Sequence, residues 1–451
     1  MVFEPPPSEP QPIEPPPPPP DPNRHPIRVV VTDDFRRWRL TVFFRWLLAI
    51  PLLIWLVIWS IGAFFVAIVN WFATLIMGRS PISLHEFFAA YVRFASHLYG
   101  YLLLAAEPYP GFVGKPGYPV DVEIDPPEPQ HRLKTLFRLL LGLPAFAIAG
   151  FLLRFPTVTV FYSNSTDGRG EETRYVYFSA GALFLVGFFA WVACLVKGRM
   201  PSGFRDLMAY GIRYGAQASG YLLLLTDRYP NTDPAEPPAV GPEKPRFLRL
   251  ELDDDLRRSR LTVFFRLLLF LPHYVWLVLW GIVAFFAIIL NWFATLILGQ
   301  APGFLHRFLS AYVRYRTHVF AYVGLIGNPF PGFTGAGGTY PVELIIGERE
   351  RQHRLKTLFR LFLAIPAAYI YFVFFLFLLT VSFYGWFVAL VLGRMPRGFR
   401  NVGAWTLRYS AEADAYFFIL TDVYPYTGPW EFAPPAPAPP EPEPEPAPAF
   451  A

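Results

Sequence analysis

Thirteen residues, "RLTVFFRWLLAIP" (Arg39 to Pro51), are written four times in slightly different spelling. They return as "RLKTLFRLLLGLP" from Arg132, "RLTVFFRLLLFLP" from Arg260 and "RLKTLFRLFLAIP" from Arg354. Each copy opens on one arginine and places a second six residues on, among aromatic and leucine residues: Arg39 and Arg45, Arg132 and Arg138, Arg260 and Arg266, Arg354 and Arg360. A cation in an apolar run is costly unless its long stem lets it snorkel to lipid headgroups or it meets an acid. These eight arginines are therefore candidates for contact with anionic headgroups at the edge of a bilayer. The rival is that Arg45, Arg138, Arg266 and Arg360 meet at a symmetry axis as one cationic site. Asn70 and Asn291, each deep in an apolar run, suit polar contacts between helices better than solute coordination.

Little else in the sequence offers chemistry. No HExxH, CxxC, GxxxxGK[ST] or GxSxG pattern occurs, and no GxGxxG follows a strand, so no metal or cofactor is expected. Six of the eight histidines recur in equivalent places, His85 with His306, His97 with His318 and His131 with His353. They read as hydrogen-bonded or interfacial side chains rather than metal ligands. Acid clusters such as Asp33–Asp34 and Asp253–Asp255 precede basic residues where helices begin, which capping and ion pairing explain. The expectation is a protein that is not an enzyme.

The elements that position these residues are apolar. Of 451 residues 54% are hydrophobic and only 16% charged, against about a quarter in an ordinary soluble protein. The deficit falls in blocks such as Trp46 to Gly78, which holds no charge. Runs of about 18 or more apolar residues read as membrane-spanning. The net charge of +5 gathers at the block ends, which points to lipid and not to nucleic acid.

"NWFATLIMG" at Asn70 returns at Asn291, "QHRLKTLFRL" at Gln130 returns at Gln352, and "GRMP" occurs at Gly198 and Gly393. The chain is two parallel halves of two related units, in the order A-B-A-B: A1 over 26–112, B1 over 118–230, A2 over 246–333 and B2 over 340–425. A polar linker covers 231–245. Proline-rich tails, 1–25 and 426–451, read as disordered. Each unit runs as a short alternating strand, the arginine segment with its apolar block, a glycine–proline stop, and an amphipathic helix expected to lie in the membrane interface.

A block such as Leu40 to Gly78 is about 58 Å long as one helix, against about 30 Å of hydrocarbon. Basic residues flank both its ends, which the positive-inside rule places on one side. B1 carries 27 extra residues at mid-block, because Arg138 lies 222 before Arg360 but Gly198 only 195 before Gly393. Together these predict an all-α polytopic fold with hairpin blocks turning near Gly62, Gly281 and past Phe372. That gives eight transmembrane helices, with the insert at 154–180 outside the cell. Four strands converge on the cytoplasmic face, and both termini are cytoplasmic in a multi-pass inner (plasma) membrane protein.

The order of strand, RLTxFFRLLLxxP, apolar block, GRxP and aromatic helix ending in "LLTDRYP" resembles the bacterial membrane family catalogued as domain of unknown function 4389. The resemblance covers nearly all of 26–425 and implies an integral membrane domain with no known activity. "GQAP" at Gly299, and "EPYP" and "NPFP" in the A units, depart from the pattern. The functional expectation is a non-enzymatic membrane scaffold or interaction protein. Its partners would be anionic lipids and a protein partner for the proline-rich tails. The alternative is a passive or weakly coupled transporter, which a polar cavity near Asn70, Asn291 and Arg45 would favour.

Overall fold

The computed structural model describes residues 24–164, 172–234 and 247–429. Most of both tails and of the linker lie outside the described residues.

Each half opens on a strand. β1 (Ile27–Val31) pairs antiparallel with β2 (Val120–Ile124), and β5 (Leu248–Leu252) with β6 (Val342–Ile346). Val29 faces Val122 and Leu250 faces Leu344. The four strands thus form two separate pairs instead of converging. Each pair buries its apolar side (Val120 and Val122; Val342 and Leu344) against the helices of its own half, which keeps the two pairs apart.

The A1 block is one unbroken helix, α1 (Arg39–Met77), running through Gly62. The expected turn there is absent, for a physical reason. One helical glycine costs about 1 kcal/mol against alanine, whereas a turn in apolar surroundings strands several backbone hydrogen bonds. In A2 a single helical turn, α7 (Arg260–Phe264), leads into α8 (Arg266–Leu298), which passes unbroken through Gly281. In B2, α10 (Arg354–Leu358) and α11 (Arg360–Leu363) lead into α12 (Ile365–Leu392), unbroken past Phe372. The hairpin blocks of A1, A2 and B2 therefore give way to single long elements, and the count of eight spans loses its basis. The helices α1, α8 and α12 are each long and apolar enough to cross a membrane.

B1 differs because of its insert. After α3 (Arg132–Leu136), the block runs as α4 (Arg138–Leu153), a hairpin of β3 (Thr157–Asn164) and β4 (Glu172–Ser179), then α5 (Ala182–Lys197). The Gly181 N–H donates to the Arg154 carbonyl at 2.7 Å, so the chain returns beside the point where it left. Both α4 and α5 pack along α6 (Ser202–Leu222), as α12 packs along α13 (Arg397–Phe417). The insert is a hairpin ejected from one long element, not a turn between two crossings.

The helices expected at the interface are instead the core. In α6 and α13 nearly every residue is buried, and α2 (Ile82–Leu102) and α9 (Gly303–Val323) are half buried. Their polar faces are consumed by protein. The Arg93 guanidinium donates to the Val122 carbonyl at 3.0 Å, His97 meets Asp121 at 2.8 Å, and Arg205 pairs with Asp206 at 2.8 Å. α2 packs on α6 and α9 on α13, with the long elements outside them. The two halves meet where α12 touches α4 and α5, through Phe151 stacked on Phe377 and Phe189 beside Tyr369. Residues just after α13, reading as tail by sequence, are packed: Tyr426 donates to Asp206 and the Thr427 carbonyl accepts from Trp405.

Candidate functional site

The eight arginines occupy two kinds of place, each repeated four times. The first of each pair caps the far end of a neighbouring long helix. Arg39 donates to the carbonyls of Leu195 and Val196, Arg132 to Ile76, Arg260 to Val391 and Arg354 to Ile297, at 2.9–3.0 Å. All four are exposed. Cations suit a helix C-terminus because its last carbonyls lack partners and carry partial negative charge.

The backbone ties the same ends. Arg37 N–H donates to Gly198 O and Gln130 N–H to Gly78 O; in the second half, Arg258 N–H donates to Gly393 O and Gln352 N–H to Gly299 O. Each half is therefore a closed belt of two antiparallel long elements, pinned at both ends around its core helices.

The second arginine of each pair is buried. Arg45, Arg138, Arg266 and Arg360 expose 1–3% of their surface. Each sits in a socket at the C-terminus of a core helix, over a tyrosine ring at 4.1–4.4 Å: Tyr101, Tyr221, Tyr322 and Tyr416. Each also donates to carbonyls at or just past the helix end. Arg45 reaches Tyr101 O at 2.8 Å and Ala106 O at 3.1 Å, Arg138 reaches Thr226 O at 3.1 Å, Arg266 reaches Tyr322 O at 2.7 Å, and Arg360 reaches Thr421 O at 2.9 Å.

Three sockets add a carboxylate: Glu107 at 2.8 Å from Arg45, Asp227 at 3.3 Å from Arg138, and Asp422 against Arg360. In A2 the acid is replaced by Asn328, with contacts of 3.4 and 3.5 Å to Arg266. The four guanidiniums thus serve four separate sockets, rather than reaching headgroups or sharing one axial site.

The backbone of each socket is bent to present its carbonyls. Leu104, Leu224, Leu325 and Ile419 follow the four core helices with φ of 59–63°, a region costing non-glycine residues about 1–2 kcal/mol. The turned carbonyls are all used. Leu104 O accepts from Arg37, Leu224 O from Gln130, Leu325 O from Arg258, and Ile419 O from Gln352 and Asn291. Asn291 also reaches Phe418 O at 2.8 Å, and Asn70 donates to Leu223 O at 3.0 Å while its own oxygen accepts from Ser80. The two asparagines therefore tie an A-unit long helix to a B-unit core helix in each half.

Sequence reasoning missed the sockets' partners, although a signal exists. The ring lies 56 residues after its arginine in A1, A2 and B2, and in B1 after the 27-residue insert is discounted. It also missed two sites found only in the second half. Asp414 is buried against Arg316 at 2.9 Å, with Tyr371 also touching that arginine, and burial raises its carboxyl to about 6 against the pull of Arg316. His273, on α8, accepts or donates at 2.8 Å to the Tyr315 hydroxyl and packs on Phe330 and Phe333. Of the recurring histidines, His85 meets the Asp125 carbonyl, His318 packs on Tyr340, and His131 and His353 lie exposed where α3 and α10 begin. Among the described residues no three His, Cys, Asp or Glu side chains gather as a metal site.

The family described as domain of unknown function (DUF4389) matches residues 39–114, 175–232, 260–334 and 354–428. The chain belongs to this family. It carries the domain as four tandem copies, the second match starting only at 175 because the hairpin separates α4 from the rest of B1. No curated protein and no solved structure matches the chain.

Proposed function

We propose that this protein is a non-enzymatic membrane scaffold whose immediate partner is anionic lipid. It would sit at the inner membrane with both termini on the cytoplasmic side. One observation carries the reading. The outward faces of α1, α8 and α12 are apolar and exposed along their whole length, from Leu40, Phe43 and Leu47 to Phe72, Ile76 and Met77 in α1. An exposed apolar patch larger than a few hundred Å² marks an interaction surface.

The polar groups of the interior are spent on holding the belts shut, which suits a rigid support. The exposed arginines Arg39, Arg132, Arg260 and Arg354 border the apolar faces, where headgroup phosphates would lie. Closed packing around Asn70 and Asn291, both fully buried, weighs against the transport alternative. The proline-rich tails would hold a protein partner.

The test is partitioning of the full chain between phosphatidylcholine vesicles with and without phosphatidylglycerol. Each surface arginine is worth about 1 kcal/mol at an anionic surface. Changing all four to glutamine should lower binding to the anionic vesicles at least about tenfold and leave neutral vesicles nearly unaffected. Unchanged preference for the anionic vesicles would refute the lipid part.

A further inference from the structure

We infer that the long helices lie in the plane of the membrane, within one leaflet, rather than crossing it. This placement deepens the membrane-scaffold reading and rests on it. Three independent features point the same way.

The first is the direction of the polarity gradient. A crossing helix is apolar in its middle and polar beyond its ends, so polarity changes along its axis. Here it changes across the axis. Ala63, near mid-length in α1, shares one buried cluster with Phe88 and Val92 of α2 and with Ile27 and Val122 of the β1–β2 pair. The other side of that pair carries Arg28, Glu123 and Asp125 in ion pairs, with Glu123 half exposed. A charged, water-facing layer therefore lies beside the middle of α1, one helix away. Loop backbone reaches the same level. The Trp55 indole donates to the Phe112 carbonyl at 2.8 Å, in a loop whose Lys115 is exposed. Trp276 donates to Phe333 O in the equivalent loop beside α8, at 2.9 Å. In B1 the β3–β4 hairpin leaves from mid-element. Irregular backbone and charge at the centre of a bilayer would be unsatisfied.

The second is length. Confining the 58 Å of α1 to about 30 Å of hydrocarbon needs a tilt of about 60°, beyond the usual 0–40°. A crossing by Val57–Met77 alone would leave Leu40, Phe43, Leu47, Ile50 and Ile54 facing water.

The third is charge. Exposed Arg36 and Arg39 flank the start of α1, and exposed Arg79 and Arg132 flank its end. If basic flanks stay on one side, an unbroken helix satisfies both ends only by lying flat. The apolar outer face then rests among acyl chains, the exposed arginines meet phosphates at the rim, and the strand pairs face water. The occupant of this surface is a single lipid leaflet.

The experiment uses the full chain, with Cys194→Ala as background, reconstituted in vesicles of phosphatidylcholine and phosphatidylglycerol. Single cysteines replace Arg36, Lys115 and Arg79, and are exposed to an impermeant maleimide from each side in turn. All three should label from the same side and none from the other. Fluorophores on cysteines replacing Phe43, Val57, Phe64 and Ile76 should all be quenched best by lipids brominated near the carbonyl end of the chain. Labelling of Arg36→Cys and Arg79→Cys from opposite sides would overturn the in-plane placement, as would quenching at Val57 and Phe64 that peaks with bromine at the chain terminus. Outer-face probes shielded from both lipid bromine and aqueous iodide would overturn it in favour of a second copy covering the belt. Release of the protein from vesicles by carbonate is a different failure, because it removes the membrane reading itself.

Discussion

Replacing Arg45 with methionine keeps most of the stem's volume and removes the guanidinium from its socket. Ala106 O loses its donor, Tyr101 O keeps the Leu104 N–H, and Glu107 loses its nearer cation while keeping Arg37 at 3.9 Å. Breaking a buried pair by deleting one partner costs about 3–5 kcal/mol. Glu107 retains hydrogen bonds from the Trp38 N–H and the Thr41 hydroxyl, so the lower end, about 3 kcal/mol, is expected.

Arg266 supplies an internal control. Its cation also lies 4.4 Å from a tyrosine ring, as Arg45's does, so the ring term cancels in the comparison. Its socket holds Asn328 where the acid would be, and its loss takes the donor from Gly327 O and one donor from Tyr322 O but strands no charge. Arg266→Met should then cost about 2 kcal/mol. Adding Glu107→Gln to Arg45→Met should return part of that loss, because the carboxylate left behind keeps only Arg37, at 3.9 Å, as a cation. Chemical unfolding of the detergent-solubilised variants, followed by tryptophan fluorescence, measures all three. Equal losses at Arg45 and Arg266, or no recovery in the double variant, would refute the view that the acid is part of the socket. A negligible loss at both would refute the socket as a pin altogether.

Two further outcomes follow from the geometry. Burial holds His25 down to about 4, and burial with the Arg314 charge holds His318 down to about 4, so both are neutral in the fold. Between pH 6.5 and 4 the unfolded chain takes up protons that the folded chain refuses. Stability should therefore be full above 6.5 and fall by about 1.4 kcal/mol per pH unit per histidine as the pH drops through that window. A double His→Gln variant should flatten the profile there, and an unaltered slope would contradict the assignment. Deleting residues 154–180 joins Leu153 to Gly181 at the point matching Phe375–Leu376. It should leave a foldable chain whose B1 element is continuous like α12, read as retained helical circular dichroism and monodisperse behaviour in detergent. Aggregation of the deletion, with wild type monodisperse, would show that the hairpin is integral to B1.

How legible was this in the sequence? The repeats, the strands and the helix stops were plain, because they rest on local chemistry: valine alternation in β2, and Gly78, Gly198, Gly299 and Gly393 in the left-handed caps that end the long helices. The arginines were visible as positions but not as sockets. Their principal partners are backbone carbonyls, which have no letter in a sequence, and a tyrosine 56 residues away. The core role of α6 and α13 was hidden for a related reason. Buried pairs such as Arg205–Asp206 read as a solvated face until the partner is seen.

The hairpin expectation failed at a more general point. Basic residues at both ends of a 39-residue apolar run require an even number of crossings only if the helix stands upright. Once α1 is continuous, the same charges and the same length demand a different orientation instead of a different count. The sockets supply the mechanical reason such an orientation can hold. An in-plane helix gains no lateral support from lipid on its water side, so its ends must be fastened to protein. Arg39, Arg132, Arg260 and Arg354 fasten four ends, and Arg45, Arg138, Arg266 and Arg360 fasten the core helices to the same four elements about one and two-thirds turns further on. The spacing of six residues within each motif is thus the separation between the rim of the belt and the C-terminus of the helix it encloses. Changing that spacing by one residue would rotate the second arginine about 100° around its helix and out of its socket, while leaving every propensity in the block intact.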